Sequence, residues 1–226
     1  MITMEEIISS ANHYKDELFK QLARIGKCLS SDKRLEILNV LTQGPKSVEK
    51  LAKDTGMNVA NVSRHLQILN DAKLVKYVKE GTYAIYSLAD SSVVDFMYAL
   101  WNIGENRLSD ITRIEEEFFS DMEDVYTLTK DEVYQKLRDG NIVLMDIRPE
   151  EEYEAEHIEG AVSVPIDKLD VYLQHLPRDK EAVAYCRGKY CVFSAIATQK
   201  MKNAGYKAYH MADSVYEWKK YLELKH

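Results

Sequence analysis

Apolar positions along this chain follow two rhythms. In the first half they fall at helical spacing in short bursts, each bounded by a breaker. Leu35, Ile37, Leu38 and Leu41 follow Asp32-Lys33-Arg34 and stop at Gly44-Pro45, which predicts a helix. Ser47 is placed to cap a second helix, with Val48, Leu51 and Ala52 facing inward, and Thr55-Gly56 ends it. Asn58 caps a third that runs to about Asp71, with Val59, Val62, Leu66 and Leu69 as its buried stripe. The pattern then turns to alternation. Lys73 to Lys79 and Thr82 to Leu88 read as two strands around Glu80-Gly81. A helical stretch from about Ser91 to Phe119 follows, carrying Val93, Val94, Phe96, Met97, Leu100 and Trp101 and then the acidic run Glu115-Glu116-Glu117.

In the second half, strand and helix patterns alternate. A helix over Lys130 to Arg138 stops at Asp139-Gly140. The apolar run Asn141 to Asp146 reads as a buried strand, and Val162 to Pro165 and Glu181 to Tyr185 as two more. Ser194, Ala195, Ala197 and Met201 recur at helical intervals. Such alternation predicts a parallel α/β sheet. The expected fold class is an α+β winged helix-turn-helix domain over 1–120, followed by an α/β domain with a parallel sheet over 121–226. The boundary falls near Ser120 to Val125.

Composition changes this picture in two ways. The 226 residues contain three cysteines, Cys28, Cys186 and Cys191, too few for a secreted disulfide scaffold. No apolar run is long enough for a membrane span, and the Met1 to Glu6 start has no secretion signal. A cytoplasmic protein with reduced thiols and no membrane partner is expected. The net charge of -7 is also unevenly spread: residues 21 to 85 hold eleven Lys/Arg against six acids, a net of +5, leaving the rest at -12.

The third helix brings chemistry to the basic stretch. Arg64 lies almost opposite its apolar stripe, flanked by Asn61 and Gln67, with Ser63 and His65 beside it and Asn58 at its start. Arg can pair with guanine, and Asn or Gln with adenine, through two hydrogen bonds each. A solvated polar face is the alternative. The hairpin favours double-stranded DNA, because Lys76, Lys79 and Thr82 near its tip would meet a phosphate backbone. These words, Ser31 to Leu38, Asn61-Val62-Ser63-Arg64-His65-Leu66 and Tyr83 to Leu88, resemble the ArsR-type winged-helix repressors over residues ~20–100. The resemblance implies a homodimer on a partly palindromic operator, released by a ligand, with the dimer surface on the outer helices. Val93 to Trp101 and the N-terminal Ile7, Ile8, Leu18 and Leu22 suit that surface, or a core. Metal-sensing members often carry Cys-x-Cys before the recognition helix, or His and acids on the last helix. Pro45 to Lys50 holds no cysteine and residues 91–119 no histidine, so no metal site is expected. Cys28 reads as a small buried hydrophobe.

The second half carries Cys186-Arg187-Gly188-Lys189-Tyr190-Cys191 at the end of a strand. Strand, Gly-containing loop and helix make an anion cradle, which lowers the pKa of a cysteine placed there. Arg187 and Lys189 add positive charge. Nucleophilic sulfur chemistry is expected at Cys186, against the alternative of a structural thiol. Residues ~125–226 resemble a single rhodanese domain through Asp146-Ile147-Arg148-Pro149, Glu152-Tyr153, His157 to Ala161, the Cys186 loop and Trp218. The resemblance implies that Cys186 carries a persulfide held by amides from Arg187 to Val192, with Asp146 and Arg148 as framework. It implies a sulfur donor such as thiosulfate or polysulfide and a thiol acceptor, with no organic cofactor. Asp213-Ser214 stands where the family often has Gly-Gly. Phosphatases and arsenate reductases of this fold use Cys-x5-Arg, and here the corresponding residue is Val192. Cys191 either resolves the Cys186 persulfide or packs as a thiol. The function expected is a regulator whose fused sulfurtransferase domain takes up or senses sulfane sulfur. The alternative is a repressor whose rhodanese fold binds a ligand without turnover.

Overall fold

The computed structural model describes residues 3–120, 122 and 125–225. The chain divides into two compact units, Met1–Gly104 and Glu105–His226. The division therefore comes before the 120/121 boundary expected from the acidic run. Within the expected Ser120 to Val125 junction, positions 121, 123 and 124 lie outside the described residues.

The first unit begins with α1 (Met4–Leu29), opened by a capping box between Thr3 and Glu6. It continues through α2 (Asp32–Leu41), β1 (Lys46–Ser47), α3 (Val48–Thr55), α4 (Val59–Asp71), β2 (Val75–Glu80), β3 (Tyr83–Leu88) and α5 (Ser91–Arg107), of which the last residues, from Glu105, belong to the second unit. Local chemistry sets the boundaries. Ser47 Oγ accepts from the Lys50 amide at 3.2 Å, and Gly56 ends α3 at φ +65°, a left-handed conformation that glycine adopts without steric cost. Asn58 Oδ1 accepts from the Asn61 amide at 2.8 Å and starts α4. Antiparallel β2 and β3 pair from Val75↔Leu88 to Glu80↔Tyr83, so Gly81-Thr82 forms the turn. The short β1, which has no pattern of its own, adds to the other side of β3.

The core of this unit gathers Ile37, Leu38, Leu51, Val62, Leu66, Leu69, Val75, Leu88 and Met97. Burial of each such side chain stabilises by about 1.5–3 kcal/mol. Cys28 joins them as a buried free thiol, its Sγ 3.8 Å from the Ile68 carbonyl. The expected stripe on α4 holds except at its first residue. Val59, in the first turn, is 47% exposed, whereas Val62, Leu66 and Leu69 are fully buried in the helix that packs on α2 and α3. The stretch from Ser91 to Phe119 is two helices, with α5 ending at Arg107 and α6 (Ser109–Ser120) following.

The second unit continues with α7 (Lys130–Arg138), β4 (Ile142–Asp146), α8 (Glu150–Ala155) and β5 (Val162–Ser163). After a 3-10 turn at Ile166–Lys168 come α9 (Leu169–Leu173), β6 (Glu181–Tyr185), α10 (Phe193–Asn203), β7 (Ala208–Met211) and α11 (Val215–Glu223). The sheet runs β5-β4-β6-β7 with parallel neighbours throughout. Apolar clusters line it, one with Leu144, Val183, Tyr185, Met211 and Trp218, the other with Met145, Ala182, Ala184, Ala197 and Met201. Side chains on a strand alternate between faces, so β6 feeds both clusters.

At the ends of β4 and β6 lies a buried polar knot. Asp146 is fully buried and accepts from Arg148 Nε at 2.9 Å, Arg148 Nη2 at 2.6 Å and Tyr185 Oη at 2.7 Å. Arg148 Nη2 also donates to the Glu156 carbonyl, and the Ile158 amide donates to Tyr185 Oη at 3.2 Å. Replacing Arg148 by Met should strand the Asp146 charge. The expected loss is about 3–5 kcal/mol in the unfolding of the second unit, read by urea denaturation of the full chain. A loss below 1 kcal/mol would show that Asp146 is satisfied without the guanidinium.

Candidate functional site

The polar face of α4 is open to solvent where base-reading groups were expected. Asn61, Arg64 and Gln67 are exposed, and Ser63 and His65 half-buried. Burial, followed by the charges of Arg34 and Arg64, lowers the His65 pKa and favours the neutral ring. Asn58, also expected to face DNA, has its side-chain oxygen engaged as the helix cap. Lys79 and Thr82 lie exposed at the hairpin tip, beside and within the turn. Lys76 is a correction. It stands opposite Ser87 near the base of the hairpin, and its ammonium donates to the Ala89 carbonyl at 2.7 Å. Strand register determines this, since three further residue pairs separate Lys76 from the Glu80↔Tyr83 pair at the turn.

In the second unit, β6 delivers Cys186 to the C-terminal edge of the sheet, directly after Tyr185 of the polar knot. Cys186 is buried and forms a disulfide with Cys191, their Cα atoms 6.1 Å apart. Of the two arrangements left open for Cys191, the bonded one is present. Gly188 makes the turn between them at φ +101°, a region that side chains rarely enter. A Cβ there would also lie 3.3 Å from Glu217 Oε2 and 3.4 Å from Ser214 Cβ. One loop amide is already engaged: the Cys191 N–H donates to Gly188 O at 2.9 Å.

Both loop cations are paired. Arg187 donates through Nε and Nη2 to the buried Glu152 carboxylate of α8, at 3.0 and 2.5 Å. Lys189 Nζ meets Glu105 Oε2 at 2.8 Å, and Tyr190 Oη donates to Glu105 Oε1 at 3.0 Å. Burial and then that carboxylate push the Tyr190 phenol well above its usual range. Asp146 and Arg148 come together in the polar knot, joined to the loop through Tyr185, which precedes Cys186. Asp213-Ser214 has a structural explanation. Ser214 caps α11 in a capping box with Glu217, and Asp213 contacts the Lys130 ammonium. Burial holds the Glu217 carboxyl above the ordinary carboxylate range, partly offset by its bonds to Ser214.

Several contributors had no signal in the sequence. Glu105 precedes its loop partners by more than eighty residues. His210 sits on β7, a strand too short to announce itself. Among the described residues no group of three His, Cys, Asp or Glu side chains is arranged to hold a metal ion, and no helix is long and apolar enough to cross a membrane.

Comparison with known proteins agrees with the division in two. Residues 31–77 match the family described as bacterial regulatory protein, arsR family, and residues 129–221 match the rhodanese-like domain. The HTH-type transcriptional regulator Rv0324 of Mycobacterium tuberculosis is 36% identical over 205 residues, 91% of this chain and 90% of that protein. The cadmium resistance transcriptional regulatory protein CadC homolog of Staphylococcus aureus is 37% identical over 87 residues, 36% of this chain and 72% of that one. Among solved structures, the homodimeric winged helix-turn-helix fragment of Mb0332 from Mycobacterium bovis is 37% identical with a TM-score of 0.40. It covers 42% of this chain and 87% of its own.

Gly188→Ala should cost about 1–3 kcal/mol of backbone strain, the range for a residue forced into such a conformation. It should also displace Glu217 from the loop. Thermal unfolding beside a Gly205→Ala control of similarly positive φ outside the loop checks the stability cost, and the rate of thiol release under a mild reductant checks that reactivity of the Cys186–Cys191 pair changes only in the Gly188 variant.

Proposed function

This chain belongs to the ArsR family of bacterial transcriptional regulators, in a form carrying a C-terminal rhodanese-like domain, and from that premise we propose a sulfur-responsive repressor. In this reading Asn61, Ser63, Arg64, His65 and Gln67 of α4 enter the major groove of an operator, Asn58 holding the helix start. Lys79 and Thr82 follow the backbone, and Lys76 stiffens the hairpin. The protein acts as a homodimer in the cytoplasm. Exposed Ile7, Ile8, Leu18, Phe19 and Leu22 on α1 support the dimer, since such an apolar stripe is costly to leave in water.

Cys186 is the sulfur-bearing residue. As a thiolate it attacks the outer sulfur of a polysulfide, or the sulfane sulfur of thiosulfate. The sulfur–sulfur bond of the donor breaks, and the shortened polysulfide or sulfite leaves with the electron pair. A thiol acceptor then removes the sulfur. When no acceptor intervenes, the Cys191 thiolate attacks Cys186 Sγ, expels hydrosulfide and forms the disulfide. The observation that carries this reading is the Cys186–Cys191 bond itself, in a strand–loop–helix setting at the edge of a parallel sheet. Loading would regulate DNA binding only through different affinities in the two states. The pairing of Arg187 and Lys189 with carboxylates favours a second reading, sensing without turnover, because neither cation is left unpaired to draw in an anionic donor.

Intact mass of the reduced protein before and after polysulfide tests the proposal. Sulfur gain is expected in wild type and in Cys191→Ser, and none in Cys186→Ser. Gain in Cys186→Ser would end the assignment. Steady-state sulfur transfer to a thiol separates the two readings. For DNA, fragments selected from a random duplex library should bind Arg64→Ala about 10- to 100-fold more weakly, the worth of one bidentate base contact. Equal binding by the variant would remove α4 as the reading helix.

A further inference from the structure

A cavity of about 380 Å³ opens beside the Cys186 loop, within the second unit, and its lining includes Glu115, Phe119, Thr127, Lys189, Cys191 and His210. That volume suits a metabolite-sized ligand. Three observations give it chemistry. The first is which sulfur it meets. Cys191 is half-buried and lines the cavity, whereas Cys186 is 3% exposed. The second is His210, only 5% exposed. Its Nε2 lies 2.8 Å from Thr127 Oγ1 and its ring stacks on Phe119, while its buried Nδ1 has no hydrogen-bond partner. A buried polar atom left without a partner costs about 1–3 kcal/mol, so native structures rarely keep one without a role. The third is Glu115 on α6, a half-buried carboxylate whose charge is felt by Lys189 and Tyr190. Lys189 itself is bonded to Glu105, which leaves the Glu115 carboxylate to attract a cation.

We propose that this cavity binds a small thiol bearing a cationic amine, an aminothiol, and directs it onto Cys191 in the disulfide. Its ammonium faces Glu115 and its sulfur faces the Cys191 Sγ. The thiol proton passes to His210, which lines the cavity and whose Nδ1 has no other partner. The thiolate attacks Cys191 Sγ, forming a mixed disulfide there. The Cys186–Cys191 bond breaks, and Cys186 leaves as the thiolate with the bonding electron pair. Access and leaving-group stability favour this direction, because Cys186 lies at the strand–loop–helix cradle that stabilises a thiolate. A second aminothiol attacks the small molecule's sulfur in the mixed disulfide; the bond to Cys191 breaks, Cys191 leaves with the electron pair and takes up the attacking thiol's proton, and the small-molecule disulfide departs. The cavity would then be where the resting disulfide is returned to the sulfur-accepting thiol. The inference rests on Cys186 as the sulfur-bearing residue and adds the class of its reductant.

The test uses the oxidised full-length protein and cysteamine. Rapid acid quench, alkylation of free thiols and peptide mass mapping should place cysteamine on Cys191 and the alkyl group on Cys186. The reverse placement overturns the proposal. Reduction rates for cysteamine and for 3-mercaptopropionate, similar in size and opposite in charge, are then compared in wild type and Glu115→Gln. The cysteamine rate should saturate, and the preference for it should fall about fivefold in Glu115→Gln, as expected of one half-buried ion pair. An unchanged preference overturns the amine's role. An unchanged cysteamine rate in His210→Gln overturns the proton's route. Polysulfide loading of the reduced protein is measured alongside. Loading at Cys186 with cysteamine on the wrong sulfur sinks only the cavity, whereas cysteamine on Cys191 without loading sinks the function it serves.

Discussion

The second unit is organised around a single carboxylate that cannot reach water. An ionised group in a protein interior is tolerable only when its oxygens are saturated with donors. Asp146 meets that requirement with the guanidinium of Arg148 and the phenol of Tyr185. Each donor constrains something further. Arg148 reaches the Glu156 carbonyl at the end of α8, and Tyr185 takes the Ile158 amide, so the segment that crosses from β4 to β5 is anchored at two points. Asp146 and Tyr185 are also register partners across β4 and β6. A slip in that register would separate carboxylate from phenol. Burial and the adjacent negative charge keep the phenol protonated, so its donor role persists across the ordinary pH range. The residue after Tyr185 is Cys186, and its position inherits this precision.

Charge pairing also determines what the loop can recognise. Oxyanion chemistry on this kind of loop depends on a guanidinium aimed at the bound group. Here Arg187 turns to Glu152 and Lys189 to Glu105, so long-range attraction for anions is largely cancelled. What remains at the loop is its backbone amides, the Cys186–Cys191 pair and the neighbouring cavity. A phosphoryl group would find no guanidinium clamp there, since Val192 stands in the place of that arginine.

Much of this was legible because local rules dominate where turns are tight. Ser47, Asn58, Gly56 and Gly140 mark element ends through caps and left-handed turns that need no tertiary information, and the α4 stripe follows from periodicity. The Cys186 loop was recognisable for the same reason, its residues being contiguous. What escaped is what only packing creates. Val59 lies on the apolar stripe yet is exposed, because periodicity alone does not say how far along a helix its neighbours pack. Lys76 is distinguished from Lys79 only by register. β1 is a strand because β3 has a free edge there, and two residues carry no pattern. Glu105 and His210 became site residues through contacts distant in sequence, for which a single chain offers no periodic signal, and Glu152, though part of the resemblance, showed no sign of its pairing with Arg187.

The ring closed by Cys186 and Cys191 spans a sequence separation of only five. Cross-linking so short a segment removes little freedom from the unfolded chain, about 2 kcal/mol against ~4.7 for a hundred-residue loop in the chain-entropy view. Its ends are held independently, by the sheet on one side and α10 on the other. Opening the ring therefore changes electron count and local shape at a smaller cost in stability than opening a long loop would. Under the proposed chemistry the bond would serve as a chemical memory, written on a scaffold whose sheet and helix do not depend on it for their own contacts.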